Sequence, residues 1–298
     1  MEEEQQWIFM NGEFVRKHEA KVSVYDHGFL YGDGVFEGIR TYDNNIYKLK
    51  EHLIRLFESA RSIMMEIPYS LDEMTEIVVD TVRKNDLENA YIRVVVSRGV
   101  GNLGLDLDHV EHLKLLLQKN HYFRKNFIRR GLKLSSVATR RNRPDVLSPK
   151  VKSLNYLNNI LVKIEANLAG VPEALMLNDE GYVAEGSGDN IFIVKNGVLY
   201  TPPGYVGALE GITRQAIIDI ADDLMYTVKE QPFTRHDVYT ADEVFLTGTA
   251  AEVIAVVKVD GRVISDGKPG QETIRLTEAF REKILQDGTP VYEKEMKA

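Results

Sequence analysis

The hydrophobic pattern of the chain changes period repeatedly, from the alternation typical of strands to the spacing typical of helices. Apolar residues flank Asn11-Gly12, a strong two-residue hairpin signal. Residues 21–26, KVSVYD, predict another strand, and residues 50–65 place their apolar side chains at helical spacing. Ser70 and Glu73 form a capping box at the start of a second helix. The first part of the chain therefore predicts an α+β fold.

The later part of the chain is richer in strand patterns, with helices between them. Residues 157–170, LNNILVKIEANLAG, form an apolar run of helical period that predicts a buried helix. Apolar strand gives way to basic residues in KNHYFRKNFIRRG. We therefore expect a small α+β domain at 1–121, an interdomain loop at 122–131 and a larger, β-rich domain at 132–298.

Composition excludes several classes of protein. The chain has 298 residues, 44% hydrophobic and 28% charged, with a net charge of −8, which argues against nucleic acid as a partner. It contains no cysteine, so disulfides and thiolate chemistry are excluded. No signal peptide or membrane-spanning run is recognisable, and a cytoplasmic protein without a membrane partner is expected. His109 and His112 alone among the histidines have helical spacing, without a carboxylate–His motif, so no metal site is expected.

Two strand patterns place candidate residues two positions apart, so that within each strand they share one face. Tyr91 and Arg93 share a strand face, which suits either a solvated surface or a site for a carboxylate. Phe36, Gly38 and Arg40 share a face in the segment LYGDGVFEGIRTY. The glycine indicates either an apolar recess beside the phenylalanine or a simple β-bulge.

Further candidates lie at turns. Glu185 stands between a strand and a Gly-Ser-Gly turn, so it is either exposed or buried with a cationic partner. Gly211 precedes a helix whose first amides could bind an anion. A second small-residue turn at 246–252 adds the Thr249 hydroxyl. The helical wheel places Arg55 opposite the apolar face, which predicts a solvated surface arginine.

Seven segments occur together in order: LYGDGVFEGIR, EHLIRL, AYIRVVVSRG, KSLNYLNN, EGSGDNIF, LEGITR and FLTGTAAE. They resemble the fold-type IV (class IV) pyridoxal-phosphate aminotransferases, most closely the bacterial branched-chain amino-acid aminotransferases, from about Trp7 to the last helix. The resemblance implies their two-domain fold, the D-amino-acid-aminotransferase-like fold. Strand parity does not separate Lys150 from Lys152, but the match to KSLNYLNN singles out Lys152.

The resemblance also implies a role for each matching residue around pyridoxal 5'-phosphate. Lys152 is implied to be the catalytic lysine that forms the Schiff base, and it would have to be a neutral nucleophile. Glu185 would pair with the pyridine nitrogen and gain from it the cationic partner that a buried carboxylate requires. Tyr156 would bond the phenolic oxygen and Leu209 would pack on the ring. The implied phosphate-binding residues are Arg55, Gly211, Ile212, Thr213, Gly248 and Thr249.

The amino-acid substrate is implied to lie among a second set of residues. Tyr91 with the amides of Thr249 and Ala250 would hold the α-carboxylate. The side-chain pocket would contain Tyr31, from the partner subunit of a homodimer. The remaining implied substrate-binding residues are Phe36, Gly38, Arg40, Arg93 and Tyr122.

The expected reaction is transfer of the amino group of leucine, isoleucine or valine to 2-oxoglutarate by a ping-pong mechanism. A D-amino-acid aminotransferase of the same fold is the main alternative, although SRGVGNLGLDLDH lacks the Arg-x-His pair of that group. A lyase acting on aminodeoxychorismate and a non-catalytic binding protein are more remote. Arg124 or Lys125 in the basic loop Arg124–Arg130 could favour a dicarboxylate or could be exposed.

Overall fold

The computed structural model describes residues 6–106, 114–120 and 130–292. The described residues divide into two compact units. The first contains residues 6–120 with the 107–113 gap, together with 151–155 and 284–292, and the second contains 130–150 and 156–283. Lys152 therefore belongs to the first unit, although the linear division at 132–298 groups it with the second.

The first unit is built on a sheet with strand order β16-β4-β3-β5-β6, all pairs antiparallel. Two helices pack their apolar faces into its core, which includes Ile39, Leu53, Met74 and Val94. The capping box of Ser70 and Glu73 is present. The elements are β1 (Trp7–Met10), β2 (Glu13–Arg16), α1 (His27–Tyr31), β3 (Gly34–Tyr42), β4 (Asn45–Ile46), α2 (Leu49–Ser62), α3 (Leu71–Lys84), β5 (Ala90–Ser97), β6 (Lys114–Asn120) and β16 (Thr289–Pro290).

Local signals at the start of the chain give one confirmed prediction and one error. The β1–β2 hairpin turns at Asn11 and Gly12, both with positive φ. The strand predicted at 21–26 is wrong, because Val22 and Val24 are exposed in an irregular segment. An extended segment without a partner strand gains no ladder of hydrogen bonds. This one ends instead at Asp26, whose side chain accepts a hydrogen bond from the Gly28 amide and caps α1.

The second unit contains a larger mixed sheet in which β12-β11-β10-β13-β14-β7-β8-β9 are neighbours in that order. Its central strands are buried on both faces, and the Phe192 and Phe245 rings stack with centres 4.9 Å apart. The elements are β7 (Leu132–Ser136), α4 (Leu157–Leu168), β8 (Glu173–Leu177), β9 (Val183–Glu185), β10 (Asn190–Lys195), β11 (Val198–Thr201), α5 (Ile212–Asp223), β12 (Thr227–Glu230), α6 (Arg235–Tyr239), β13 (Glu243–Gly248), β14 (Glu252–Val259), β15 (Arg262–Val263) and α7 (Gln271–Gln286).

Helix α4 is not the buried helix that its apolar run predicts. Its buried side chains are Asn159, Val162 and Ala166. The opposite face is also apolar, because the run supplies more apolar residues than one buried stripe needs. The exposed apolar residues of this face, between 44% and 83% exposed, are Leu157, Ile160, Leu161, Ile164 and Leu168. In the part of the chain that the structure describes, no helix is long and apolar enough to cross a membrane.

Candidate active site

Lys152 lies in a short segment that pairs with the start of β3. Its carbonyl accepts a 2.9 Å hydrogen bond from the Phe36 amide, and its own amide donates to Ser59 Oγ at 3.2 Å. Its Nζ stands 4.9 Å from the centre of the Phe36 ring. Lys150 differs, because its amine forms a half-exposed ion pair with Glu210. The backbone of Lys152 is thus fixed while its amine faces an aromatic ring.

The predicted substrate residues on β3 and β5 are brought together. Gly38 pairs with Arg93 in regular antiparallel register, so the β-bulge alternative is wrong. A Cβ on Gly38 would lie only 2.0 Å from Tyr91 Oη, so the hydroxyl already occupies the space that the glycine leaves, and no empty recess is present there. The Arg93 guanidinium lies over the Phe36 ring at 4.4 Å and donates to Tyr91 Oη at 3.4 Å. This face combines guanidinium charge, a tyrosine hydroxyl and aromatic rings.

The remaining substrate candidates of the first unit lie around this face or outside the described residues. Arg40 pairs with Tyr91 in the β3–β5 ladder and places its guanidinium 4.6 Å from the Tyr42 ring centre. The Tyr31 hydroxyl, at the end of α1, donates to the Leu103 carbonyl at 2.5 Å. Tyr122 and most of the Arg124–Arg130 loop lie outside the residues that the structure describes.

Arg55 is not the solvated surface arginine that the helical wheel predicts, because its side chain is only 12% exposed. Its Nε and Nη2 donate to the two carboxylate oxygens of Glu37, at 2.7 and 2.9 Å. His52 Nδ1 lies 2.8 Å from Glu37 Oε2. The wheel shows only the neighbours within α2, whereas the partner of Arg55 is a buried carboxylate on β3. The sequence signalled neither Glu37 nor His52.

The charge state of Glu37 follows from this network. Burial alone would raise the pKa of the Glu37 carboxyl, but the Arg55 charge and the His52 hydrogen bond outweigh burial and lower the pKa to about 2. Burial lowers the pKa of His52 below its ordinary 6.5, although Glu37 opposes this shift. Glu37 is therefore an ionised carboxylate at neutral pH, bound by an arginine and a neutral histidine.

In the second unit, Glu185 is buried at the end of β9 and already has a cationic partner. Its Oε1 accepts from Arg141 Nη2 at 2.9 Å, and its Oε2 accepts from the Leu209 amide at 2.9 Å. Asn190 Nδ2 lies 3.4 Å from Oε2 and donates to the Leu209 carbonyl at 2.7 Å. Of the two alternatives for Glu185, exposed or buried with a cationic partner, the structure shows the second, with Arg141 as the partner.

Arg141 belongs to the basic stretch RRNRPDVLSPK, and its side chain is buried. Its Nε donates to the Gly207 carbonyl at 3.1 Å, and its Nη1 donates to Asn159 Oδ1 at 3.1 Å. Asn159, on α4, in turn donates to the Ser187 carbonyl at 2.8 Å. These bonds hold the Glu185 carboxylate in one orientation between helix α4 and the Gly207 loop.

Two small-residue turns meet next to the start of β10. Gly211 is the N-cap residue of α5, and a Cβ there would lie 2.1 Å from Asn190 Oδ1. A Cβ on Gly248, at the end of β13, would lie 2.3 Å from Asp189 Oδ1. Because both glycines pack on consecutive residues, the first amides of α5, from Ile212 and Thr213, and the Thr249–Ala250 turn belong to one region of this unit. Such amides carry the positive end of the helix dipole and suit a phosphate.

Each unit, taken by itself, carries donor groups that suit one part of a phosphorylated, carbonyl-bearing nitrogen heterocycle. Arg55 in the first unit and the amides of Ile212 and Thr213 in the second are the donors that phosphate groups prefer. The buried carboxylate of Glu185 suits a protonated ring nitrogen, and the amine of Lys152 suits an aldehyde. Tyr156 occupies the N-cap position of α4 and adds a phenolic hydroxyl.

Comparison with known proteins identifies relatives over nearly the whole chain. The family model described as amino-transferase class IV matches residues 34–259. A relative from Methanocaldococcus jannaschii, provisionally named a branched-chain-amino-acid aminotransferase, is 50% identical over 96% of this chain and 99% of its own. The branched-chain-amino-acid aminotransferase of Pseudomonas aeruginosa is 41% identical, covering 92% of this chain and 91% of its own.

Solved structures agree with the sequence relatives. The T.th. branched-chain amino acid aminotransferase complexed with N-(5'-phosphopyridoxyl)-L-glutamate superposes with a TM-score of 0.90 at 41% identity. The superposition covers 97% of each chain. The two-domain α+β fold predicted from the sequence is thereby confirmed.

Proposed function

Because the chain belongs to the class IV amino-transferases, we propose that it moves the amino group of leucine, isoleucine or valine to 2-oxoglutarate. The reaction is a ping-pong exchange that uses pyridoxal 5'-phosphate. The observation that carries the proposal is the identity of 38–50% with branched-chain-amino-acid aminotransferases over more than nine tenths of the chain. The complex of the T.th. enzyme with a phosphopyridoxyl-glutamate supports glutamate and 2-oxoglutarate as the second substrate pair.

Lys152 is the proposed catalytic residue. When bound, pyridoxal 5'-phosphate supplies an aldehyde carbon and an electron-withdrawing ring. The amine of Lys152 would hold the cofactor through that aldehyde carbon. The free amine of Lys152 would remove the proton from the substrate Cα and would deliver it to the reacting carbon of the cofactor. The hydrogen bonds of its backbone to Phe36 and Ser59 fix the stem from which this amine reaches.

The proposed binding residues for the rest of the cofactor follow from their donors. Glu185, oriented by Arg141, keeps a proton on the ring nitrogen, and Tyr156 donates to the phenolic oxygen. Leu209 covers a ring face, with its amide and carbonyl both fixed by hydrogen bonds. The proposed phosphate-binding residues are Arg55, Gly211, Ile212, Thr213, Gly248 and Thr249.

The proposed substrate residues divide by chemistry. Tyr91 and the amides of Thr249 and Ala250 bind the α-carboxylate, and Arg93 and Arg40 supply positive charge for the second carboxylate of 2-oxoglutarate. Phe36 provides apolar surface for a branched side chain, beside the Tyr91 hydroxyl that occupies the space left by Gly38. Tyr31 and Tyr122 complete the proposed set.

A cytoplasmic homodimer is the proposed assembly. The exposed apolar face of α4, from Leu157 to Leu168, supports it, because monomeric proteins rarely expose so many contiguous apolar side chains. A second copy offers the same face by symmetry, as isologous interfaces require. The absence of cysteine from all 298 residues is compatible with a reducing compartment.

Half-reactions of the purified protein test the function. We expect visible absorption from bound pyridoxal 5'-phosphate, and bleaching of that absorption by L-leucine, L-isoleucine, L-valine and L-glutamate. Bleaching by D-alanine without a response to L-leucine would assign the protein to the D-amino-acid group instead. A protein that binds no pyridoxal 5'-phosphate would refute the proposal.

Two lysine variants test the assignment of the catalytic amine. Lys152→Ala should abolish turnover and leave the cofactor removable by dialysis. Lys150→Ala is the matched control, two residues away and engaged with Glu210 in a half-exposed ion pair, and should retain both properties. Loss of turnover in Lys150→Ala with retention in Lys152→Ala would reverse the assignment.

A further inference from the structure

Glu37 is the most deeply buried carboxylate of the first unit that the proposed reaction does not use. Its side chain is fully buried on β3, one residue after Phe36 and on the opposite face of the strand. Its two oxygens accept hydrogen bonds from Arg55 Nε and Nη2 in a fork-to-fork arrangement, and His52 bonds the second oxygen. Arg55 thus binds the Glu37 carboxylate in addition to the cofactor phosphate proposed for it.

A charge pair at this depth needs a reason other than stability. Burying two ions gives up hydration that their attraction only partly returns, so an apolar pair of the same volume often stabilises a protein as well or better. What the pair does provide is orientation. A bidentate bond fixes the plane of a guanidinium, whose long side chain is otherwise free to rotate.

Helix α2 links this orientation to the proposed catalytic lysine. His52, Arg55 and Ser59 stand at positions i, i+3 and i+7, on one face of the helix. Ser59 Oγ accepts the hydrogen bond of the Lys152 amide. The guanidinium of Arg55 and the backbone of Lys152 are therefore positioned relative to the same helix face.

We propose that Glu37, itself held by His52, is a positioning residue that orients the Arg55 guanidinium for the phosphate of the cofactor. This inference rests on the proposed function. Glu37 touches neither cofactor nor substrate in it, and acts only through Arg55. Its loss should therefore lower the affinity for the phosphate group specifically and leave recognition of the rest of the cofactor in place.

The test compares the affinities of the cofactor-free protein for pyridoxal 5'-phosphate and for pyridoxal, which lacks the phosphate. The affinity for pyridoxal 5'-phosphate divided by the affinity for pyridoxal isolates phosphate recognition. This ratio is independent of turnover. We expect Arg55→Ala to lower the ratio about a hundredfold and Glu37→Gln to lower it about tenfold, since a misplaced charged donor retains part of its attraction. In the double variant the ratio should equal that of Arg55→Ala alone, because Glu37 then has nothing to orient.

Matched variants separate positioning from damage to the fold. Glu58→Gln removes an exposed carboxylate from helix α2, which also carries Arg55, and should leave the ratio unchanged. Glu37→Asp keeps the charge but withdraws it by one methylene, and should also lower the ratio. Should Glu37→Gln fail to fold, Glu37→Asp carries the test. His52→Asn, whose amide nitrogen can replace Nδ1, should keep the ratio closer to wild type than His52→Ala does.

The outcomes distinguish this inference from the proposed function. No binding of pyridoxal 5'-phosphate by the wild type would overturn both. A normal ratio in Glu37→Gln and Glu37→Asp beside a collapsed ratio in Arg55→Ala would overturn only the positioning role. A higher ratio in Glu37→Gln would identify Glu37 as a negative charge that opposes phosphate binding. That outcome would also overturn the positioning role. An unchanged ratio in Arg55→Ala would remove Arg55, and with it Glu37, from phosphate recognition.

Discussion

Arg141 Nη2 lies 2.9 Å from Glu185 Oε1, with the two side chains only 7% and 6% exposed. Removing one partner of a buried pair leaves a charge without compensation, so Arg141→Met should lower the free energy of unfolding by about 3–5 kcal/mol. Urea denaturation of the cofactor-free protein at neutral pH measures this. The double variant Arg141→Met, Glu185→Met should recover part of the loss.

The control for this pair is Arg143, two residues further along the chain. Its ion pair with Asp145 is largely exposed, so Arg143→Met should change the urea midpoint little. Equal destabilisation by the Arg141 and Arg143 variants would contradict the assignment of Arg141 to a buried network.

Gly38 leaves the space that the Tyr91 hydroxyl occupies. A methyl group at Gly38 would meet Tyr91 Oη at 2.0 Å and Cζ at 2.8 Å, so Gly38→Ala should displace the ring. We expect the KM for L-leucine to rise about tenfold, since a small displacement of a binding group is sufficient for such a loss. Steady-state kinetics with L-leucine measure it, with kcat changing less than KM.

A double-mutant cycle checks the physical cause of the Gly38 effect. Tyr91→Phe removes the hydroxyl proposed to bind the α-carboxylate, so displacement of the ring by Gly38→Ala should add little to KM in that background. Additive effects of the two substitutions would mean that Gly38 acts through something other than the Tyr91 hydroxyl.

The dependence of the free energy of unfolding on pH should reveal the lowered pKa of the buried His52. Because the pKa of His52 is lower in the folded protein than its ordinary 6.5, the unfolded chain binds this proton more readily, and the free energy of unfolding decreases as pH falls below about 6.5. One such proton gives a slope of at most about 1.4 kcal/mol per pH unit. Unfolding curves between pH 8 and pH 5 should show this slope in the wild type and lose it in His52→Asn.

The Glu37 carboxyl affects the free energy of unfolding at lower pH than His52 does. With a pKa lowered from 4.5 to about 2, the folded protein keeps the carboxylate ionised where the unfolded chain takes up a proton. Its stabilising contribution is complete above about pH 4.5 and is lost between pH 4.5 and 2. A wild-type protein with constant stability from pH 8 to pH 3 would contradict both assignments.

The exposed apolar face of α4 is the surface through which we expect two copies of the chain to associate. Replacing Ile164 with lysine places a charge in the middle of this face, and should convert the proposed dimer to monomers in sedimentation velocity. Met225→Lys is the control, because Met225 is 91% exposed but lies outside this face. A wild-type monomer at micromolar concentration would refute the interface.

Local signals predicted the local structure well. The Asn11-Gly12 hairpin and the capping box of Ser70 and Glu73 depend on residues within a few positions of each other, and both are present. The helical period of residues 50–65 likewise corresponds to α2. The order of motifs predicted the family, because seven matches in sequence constrain the chain more than any one of them.

Contacts between distant residues could not be predicted in this way. The surface position expected for Arg55 was wrong because its partner Glu37 lies 18 residues earlier, on a strand. Arg141 was missed because a basic stretch usually indicates solvent, whereas its partner Glu185 lies 44 residues further on. The buried position expected for α4 was wrong because hydrophobic periodicity identifies an apolar face without indicating what covers it.

The first unit is assembled from three separate stretches of the chain. During synthesis, its sheet lacks β16, at Thr289–Pro290, until residue 290 has been added. The segment that contains Lys152 emerges only after about half of the chain. A ribosome adds about 5–20 residues per second, so the first part of this unit waits about 2–6 s for the segment of Lys152 and about 9–34 s for β16. A gene truncated after residue 130 would encode neither, and so could not produce this unit as an independent fragment.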